Sequence, residues 1–356
     1  MQTANQRLLH TELQTLLETI SISSSQLRVL KDASLTKAPG IQSIEAALVE
    51  LYKAMLTIDP KLRQSGSRPH SSNRNSTGDR IGNEVGIMRA VQEKREGYRR
   101  ESVDFVRRLK QHLDVRFQEV ETELSGAIQK GRSGALSRSS TKLDLRLRDT
   151  ARAGMWIHSP LMLFAREIDS FEWREMMRAY EGAIKKSYQE EFRDNISAWK
   201  RTIKKPTGEE QESLFTTQEK DGEGIVSRKL TVKRTKTVRT DGLSRISSGE
   251  KPRTGGTTGY EAFAGALYDM AQSIFVEQNF LVDFFHVSSL ENLDFPDAVV
   301  AAPPESRKDR NLLERKLFDP DRQMARRVQD MMDDIYSFWP LDMEELVDMI
   351  FKQDTL

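Results

Sequence analysis

The chain has 356 residues, enough for two or three packed units rather than one. Its 55 Lys and Arg against 54 Asp and Glu leave a formal net charge of +1, so no overall field indicates a nucleic-acid-binding protein. The absence of cysteine excludes a disulfide scaffold, Cys-ligated zinc, an iron–sulfur cluster and thiol catalysis. No run of about 18 apolar residues is present and the N-terminus lacks the pattern of a signal peptide, so a cytoplasmic protein is expected.

Residues 1–59 are predicted to form an N-terminal helical segment. A first helix runs from about Thr3 to Ile20, and a second begins after Pro39 and stops at Asp59-Pro60. The apolar residues of the second helix recur at alternating steps of three and four, which indicates a helix packed along a partner. They are Ile41, Ile44, Leu48, Leu51, Met55 and Ile58.

Residues 60–84 contain almost no apolar side chains and are predicted to be a disordered linker. Residues 85–205 follow as a bundle of long helices. The first of these, from Val85 to about Lys130, would be roughly 65 Å long. Its predicted buried stripe comprises Val91, Tyr98, Phe105, Leu109, Leu113, Phe117, Val120, Leu124 and Ile128.

The stretch WIHSPLMLFAREIDSFEW, residues 156–173, is among the most apolar in the chain. Serine can cap a helix and proline suits its first turn, so Ser159-Pro160 predicts a helix start. The apolar spacing then continues without interruption to Pro206, which predicts one very long helix. The aromatic residues expected in its core are Phe164, Phe171, Tyr180, Tyr188 and Trp199.

Residues 206–258 have no helical pattern and are predicted to be a disordered insertion, acidic at first and then basic and rich in Ser and Thr. From residue 228 to residue 253 there are nine Lys or Arg against two acids. This basic part is either a contact for an anionic membrane or a partner, which phosphorylation would weaken, or a solvated linker with no role. The candidate contact residues are Lys229, Lys233, Arg234, Lys236 and Arg239.

Residues 259–356 are predicted to form a C-terminal helical bundle. A helix begins at about Tyr260 and is apolar nearly all round in its second half, so it should be central. A proline-containing loop over residues 294–307 follows, then a helix ending near Phe318. Two more helices are predicted from Asp321 to Trp339 and from about Asp342 to Lys352. The chain as a whole is expected to be all-α, an elongated rod of stacked helical bundles with two disordered insertions.

Motifs for chemistry are missing from the sequence. The five histidines have no metal-like spacing, and His112 and His286 are expected to be structural. The stretch GGTTGY, residues 255–260, precedes a helix but lacks the strand and the Lys-Ser/Thr pair of a phosphate-binding loop. We therefore expect no catalytic residue, cofactor or metal, and neither nucleic acid nor a small-molecule substrate as a ligand.

Several stretches nevertheless resemble the exocyst, the octameric vesicle tether. They are most similar to its Sec-three subunit, exocyst component one, in the filamentous-fungal form. The similarity lies in the number and order of the stretches, which cover most of the chain outside the two polar insertions. They are residues 3–23, 40–62, 88–120, 157–173 and 260–289.

The resemblance implies a rod of stacked helical bundles that assembles with other exocyst subunits. It also implies a scaffold that helps hold secretory vesicles at plasma-membrane sites of polarised growth before fusion. Family members begin with a pleckstrin-homology-like domain and a coiled-coil segment, and we expect both to be absent here. The family continues beyond the stretch FKQDTL, so the chain is expected to be a fragment or a truncated gene model.

Two other readings stay open. A coiled-coil or spectrin-like scaffold outside the exocyst would show the same long helices. A helical regulatory enzyme such as a GTPase activator would need a functional arginine, and nothing singles one out among the many in the chain.

Overall fold

The computed structural model describes residues 20–59, 89–133, 141–203, 257–290, 293–307, 311–314 and 316–354, with a few positions between 7 and 15. Within these ranges the fold is helical and has no strand, which confirms the all-α prediction. The segments predicted to be disordered lie outside the described residues, apart from positions 257 and 258. The helices are α1 (Ser24–Asp32), α2 (Ala38–Ile58), α3 (Arg89–Ser133), α4 (Asp149–Trp156), α5 (Ser159–Ile168), α6 (Ser170–Thr202), α7 (Gly259–Phe284), α8 (Phe295–Ala301), α9 (Arg322–Ile335) and α10 (Trp339–Asp354).

The chain divides into two compact units, neither of which is continuous in sequence. The first comprises Met1–Arg138, Leu143–Glu191 and Ala271–Ser337. The second comprises Ser139–Lys142, Phe192–Met270 and Phe338–Leu356.

The core of the first unit is built on α2 and α3. Both predicted apolar stripes are buried along their whole length, because a step of three or four residues returns a side chain to the same face of a helix. Helix α3 has 45 residues, the length predicted from the sequence. Four aromatic rings meet edge to face between the helices, with centroids 5.0–6.5 Å apart: Tyr52, Phe105, Phe164 and Phe295.

A buried ion pair connects the segment after α8 to helix α2. The guanidinium of Arg307 donates to both carboxylate oxygens of Glu45, at 2.6 and 3.0 Å, and also to the carbonyl of Ile157 at 2.9 Å. Both side chains are almost fully buried. Two parallel hydrogen bonds make this the strong, directional form of the interaction.

The predicted long helix over 159–205 is two helices. Helix α5 ends at Ile168, and Asp169 adopts a non-helical conformation with φ −140° and ψ 84°. One carboxylate oxygen of Asp169 accepts hydrogen bonds from the backbone N–H groups of Phe171, at 3.1 Å, and Glu172, at 3.2 Å, so it caps the start of α6. The break turns Phe171 into solvent, where it is 60% exposed, so its predicted place in the core is wrong.

The C-terminal part also differs from the prediction. The predicted loop over 294–307 contains α8, which Asp294 caps by accepting from the N–H of Asp297 at 3.3 Å. The prediction of a helix that ends near Phe318 is wrong. Among the residues described there, the chain forms a 3-10 turn at Pro304–Ser306 followed by irregular structure. Helix α9 starts where predicted, after Asp321, and α10 begins three residues earlier than predicted.

The second unit has a small core of its own, formed by Ile196, Ala266, Met343 and Leu346. Asp269 accepts hydrogen bonds from Asn195 at 3.1 Å and from the indole N–H of Trp199 at 3.2 Å. The described residues on either side of the segment 204–256 meet in this unit, since Thr257 donates its N–H to the carbonyl of Thr202 at 3.0 Å.

Candidate interaction surface

A groove of about 880 Å³ opens on the first unit, lined by the second half of α7 and by α9. Its apolar lining from α7 includes Ile274, Phe275 and Val282, which are only half-buried. Helix α9 contributes Val328 and Met332, and both are buried. The sequence predicted α7 to be apolar nearly all round and central, and one of its faces lines the groove instead.

The irregular segment at 316–319 forms part of the groove wall and carries two adjacent apolar side chains. Leu317 is 86% exposed and Phe318 is 80% exposed, among the most exposed large apolar residues in the described part of the chain. Adjacent exposed residues of this size beside an apolar groove are typical of a surface that binds a partner.

Polar contacts hold the residues around this apolar pair in place. The amide of Asn279 on α7 donates to the carbonyls of Leu312 and Glu314, at 2.7 and 2.9 Å. On the other side of the pair, Asp319 accepts from the N–H of Ser289 at 2.6 Å and from the N–H of Asp321 at 2.8 Å. Residues before and after Leu317 and Phe318 are therefore anchored to the fold by hydrogen bonds.

The charges in the groove are arranged in one ion pair and one single carboxylate. Lys316 pairs with Asp283, and burial lowers the pKa of this lysine. Burial alone would raise the pKa of Asp319, but the hydrogen bonds from Ser289 and Asp321 outweigh it and lower that pKa. Asp319 is therefore ionised at neutral pH, and the donors that hold it are uncharged.

Three of the histidines have structural contacts in the described part of the chain. His286 lies buried at the end of α7, with its Nε2 atom 2.9 Å from the carbonyl of Ser159. The rings of His112 and His158 lie in contact, tilted by 50° with their centroids 5.1 Å apart. In the described part of the chain no group of three or more His, Asp or Glu side chains is placed to hold a metal ion.

The five basic residues predicted as a membrane or partner contact, at positions 229, 233, 234, 236 and 239, all lie outside the described residues. Their role stays a prediction. None of the described helices combines the length and the apolar character needed to cross a membrane.

Comparison with known families places two matches on the chain. Residues 1–57 match the model described as exocyst complex component Sec3, coiled-coil, and residues 284–356 match the model described as exocyst complex component Sec3, C-terminal. Both regions belong to one family and occur in the expected order. The chain is similar at both ends to the exocyst Sec3 family. Searches of curated proteins and of solved structures found no match.

The Sec3 comparison corrects one prediction made from the sequence. We expected the coiled-coil region of the family to be absent, and residues 1–57 match it. The alternating steps of three and four in α2 are the heptad spacing of a coiled coil, but helices packed in a bundle have the same spacing. The pattern alone did not distinguish the two.

The groove was not predicted from the sequence. The sequence predicts a helix that ends near Phe318, just before the Asp-Pro-Asp of residues 319–321, and this prediction places Leu317 and Phe318 in its last turn. Two neighbouring apolar residues followed directly by a turn are the signal that was available, since a helix cannot bury two adjacent side chains equally well on one stripe.

Proposed function

We propose that this Sec3-family chain is a non-enzymatic structural subunit of the exocyst. In this role it helps tether secretory vesicles to the plasma membrane before fusion, acting from the cytoplasm at sites of exocytosis and polarised growth. The observation that carries the proposal is the ordered pair of Sec3 matches, one at each end of the chain. The long packed helices suit a subunit that works by protein–protein contact.

The proposal is tested by affinity purification of the tagged chain from its own cells, followed by mass spectrometry. We expect the other exocyst subunits to be recovered in constant ratio. A chain that associates only with itself would favour the scaffold outside the exocyst. The matched control is the same tag on an unrelated helical protein expressed at the same level.

The tethering role requires a second experiment. Depletion of the protein is expected to make secretory vesicles accumulate beneath the plasma membrane, because fusion would be delayed after transport. Counting vesicles by electron microscopy tests this, and an unchanged count with normal secretion would argue against tethering.

A further inference from the structure

The side chains on the two walls of the groove are spaced as on helix faces that pack against a third helix. On α7 the lining residues Ile274, Gln278 and Val282 are four apart, and on α9 Val328 and Met332 are four apart. Rows of side chains at this spacing form the ridges between which another helix packs. The shape of the groove therefore favours a helical occupant.

Three polar side chains of the groove already have partners within the fold. Asn279 is engaged with the carbonyls of Leu312 and Glu314, Asp319 with backbone and hydroxyl donors, and Asp283 with Lys316. An extended peptide lying here would bury backbone N–H and C=O groups against apolar side chains, which is unfavourable for each group left without a partner. An α-helix satisfies its own backbone and avoids that cost.

The charge of the groove adds a further requirement. Lys316 and Asp283 neutralise each other, whereas Asp319 is held by uncharged donors and keeps its negative charge beside Leu317 and Phe318. A complementary occupant carries a lysine or arginine at that end.

We propose that this groove binds an amphipathic α-helix of another exocyst subunit. The helix has apolar side chains every three or four residues against α7 and α9, and a basic residue near Asp319. The identity of the partner rests on the proposed function, and the helical character rests on the groove itself. Leu317 and Phe318 cover the apolar side of the bound helix.

The test uses the full chain, tagged in its own cells, with the double substitution Leu317→Glu and Phe318→Glu. Because both side chains are exposed, the substitutions leave the core untouched. We expect recovery of at least one exocyst subunit to fall by about tenfold or more, as for central interface residues. The matched control is Val300→Glu, which changes an 83% exposed apolar residue on α8 that does not line the groove, and recovery is expected to be unchanged.

A photo-crosslinking amino acid placed at position 318 identifies the occupant. We expect a crosslink to a peptide of another exocyst subunit with apolar residues at helical spacing and a nearby Lys or Arg. A crosslink to a second copy of this chain, or to another part of the same chain, would overturn the proposal.

The outcomes separate this inference from the proposed function. If the unmodified chain recovers the exocyst and the double variant recovers it equally well, the groove is not the docking site and the proposed function stands. If the unmodified chain recovers no exocyst subunit, the proposed function fails and the partner named here fails with it.

Discussion

His158, at the junction of α4 and α5, has almost no contact with solvent. Its side chain is 2% exposed, with Nε2 2.9 Å from the carbonyl of Leu35 and Nδ1 3.3 Å from the carbonyl of Met155. Burial, with smaller contributions from the neighbouring His112 and Arg116, lowers the pKa of His158 to about 4 against the opposing effect of the two carbonyls. The imidazole is therefore neutral in the folded protein at pH 7.

Acidification should destabilise the first unit through His158. In the unfolded chain this histidine takes up a proton near pH 6.5, whereas in the folded chain it does so only near pH 4. The unfolded state therefore gains stability as the pH falls through this window, by about 3 kcal/mol in total. We expect His158→Gln to remove this dependence, because its amide can donate to the carbonyl of Leu35 without titrating.

Amide hydrogen exchange in α5 at pH 7 and pH 4.5 measures the effect. The comparison must be the difference between the unmodified chain and the variant, since Glu181 also titrates in this window: burial, together with the nearby Asp334, raises its pKa to about 7. Equal pH dependence in both proteins would show that His158 does not contribute.

Glu277 on α7 is the centre of a buried polar cluster in the first unit. Its side chain is fully buried and accepts from the hydroxyls of Tyr180, at 2.9 Å, and Tyr188, at 2.5 Å, and pairs with the guanidinium of Arg152. Arg152 is also buried, so the two charges depend on each other. The cluster ties α4, α6 and α7 together.

The substitution Glu277→Gln should destabilise the first unit by about 3–5 kcal/mol. It keeps the shape of the side chain but leaves the buried charge of Arg152 with only a distant carboxylate, the 54% exposed Asp149 at 4.0 Å. Urea denaturation measures the loss. The matched control is Glu175→Gln, which removes an ion pair with the 70% exposed Arg178 and is expected to cost under about 0.5 kcal/mol. A similar loss in both variants would mean that burial of the pair is unimportant.

At the scale of the elements, the sequence predicted buried stripes better than helix ends. The stripes of α2 and α3 are buried as expected because their spacing depends only on neighbours along the same helix. The break at Asp169 was missed because the apolar pattern resumes in α6 with nearly the same phase. The signal was present in Asp169 and Glu172, the spacing of a capping residue and the acid three positions later.

Helices α6 and α7 approach closely in the second unit at Gly265. A Cβ atom at this position would lie 2.4 Å from two ring carbons of Trp199. The indole is held by its hydrogen bond to Asp269, so it cannot move aside without losing that bond. No spacing rule in the sequence reveals this contact, since it joins residues far apart in the chain.

The substitution Gly265→Ala should therefore destabilise the second unit by about 1–3 kcal/mol through overpacking. The control is Gly182→Ala on α6, where a Cβ atom would meet nothing within 4 Å. There alanine should stabilise the helix by about 0.5–1 kcal/mol, because it restricts the unfolded chain. Thermal unfolding of the two variants gives opposite shifts in Tm if the contact with Trp199 is as described, and two upward shifts would contradict it.

At the scale of the whole molecule, the sequence predicted the all-α class and the family, and it did not predict the groove. The fold class follows from the spacing of apolar residues along each helix. The family resemblance follows from the order of similar stretches along the chain. The groove depends on which face of α7 is left uncovered by α9 and by the residues before it, and that is decided by contacts such as Asn279 with Leu312. Such contacts between distant residues leave no periodic signal.

The segment between α6 and α7 permits a test of the predicted basic contact without disturbing the core. Thr202 and Thr257 are hydrogen-bonded to each other, so a short Gly/Ser linker replacing residues 206–255 can close the chain. The entropy of loop closure changes only slowly with loop length, and the linker variant should be about as stable as the full chain. It provides the baseline for membrane binding.

The predicted membrane contact is tested by reversing the charges at Lys229, Lys233, Arg234, Lys236 and Arg239. If this segment contacts an anionic membrane, each basic residue contributes about 1 kcal/mol near the surface. Binding of the full chain to phosphatidylserine vesicles should then fall at least tenfold on reversal, to the level of the linker variant, and should weaken with salt. Neutral phosphatidylcholine vesicles should bind all three proteins equally weakly. If the reversed chain binds phosphatidylserine as well as the unmodified chain does, the segment is a solvated linker and the membrane contact lies elsewhere.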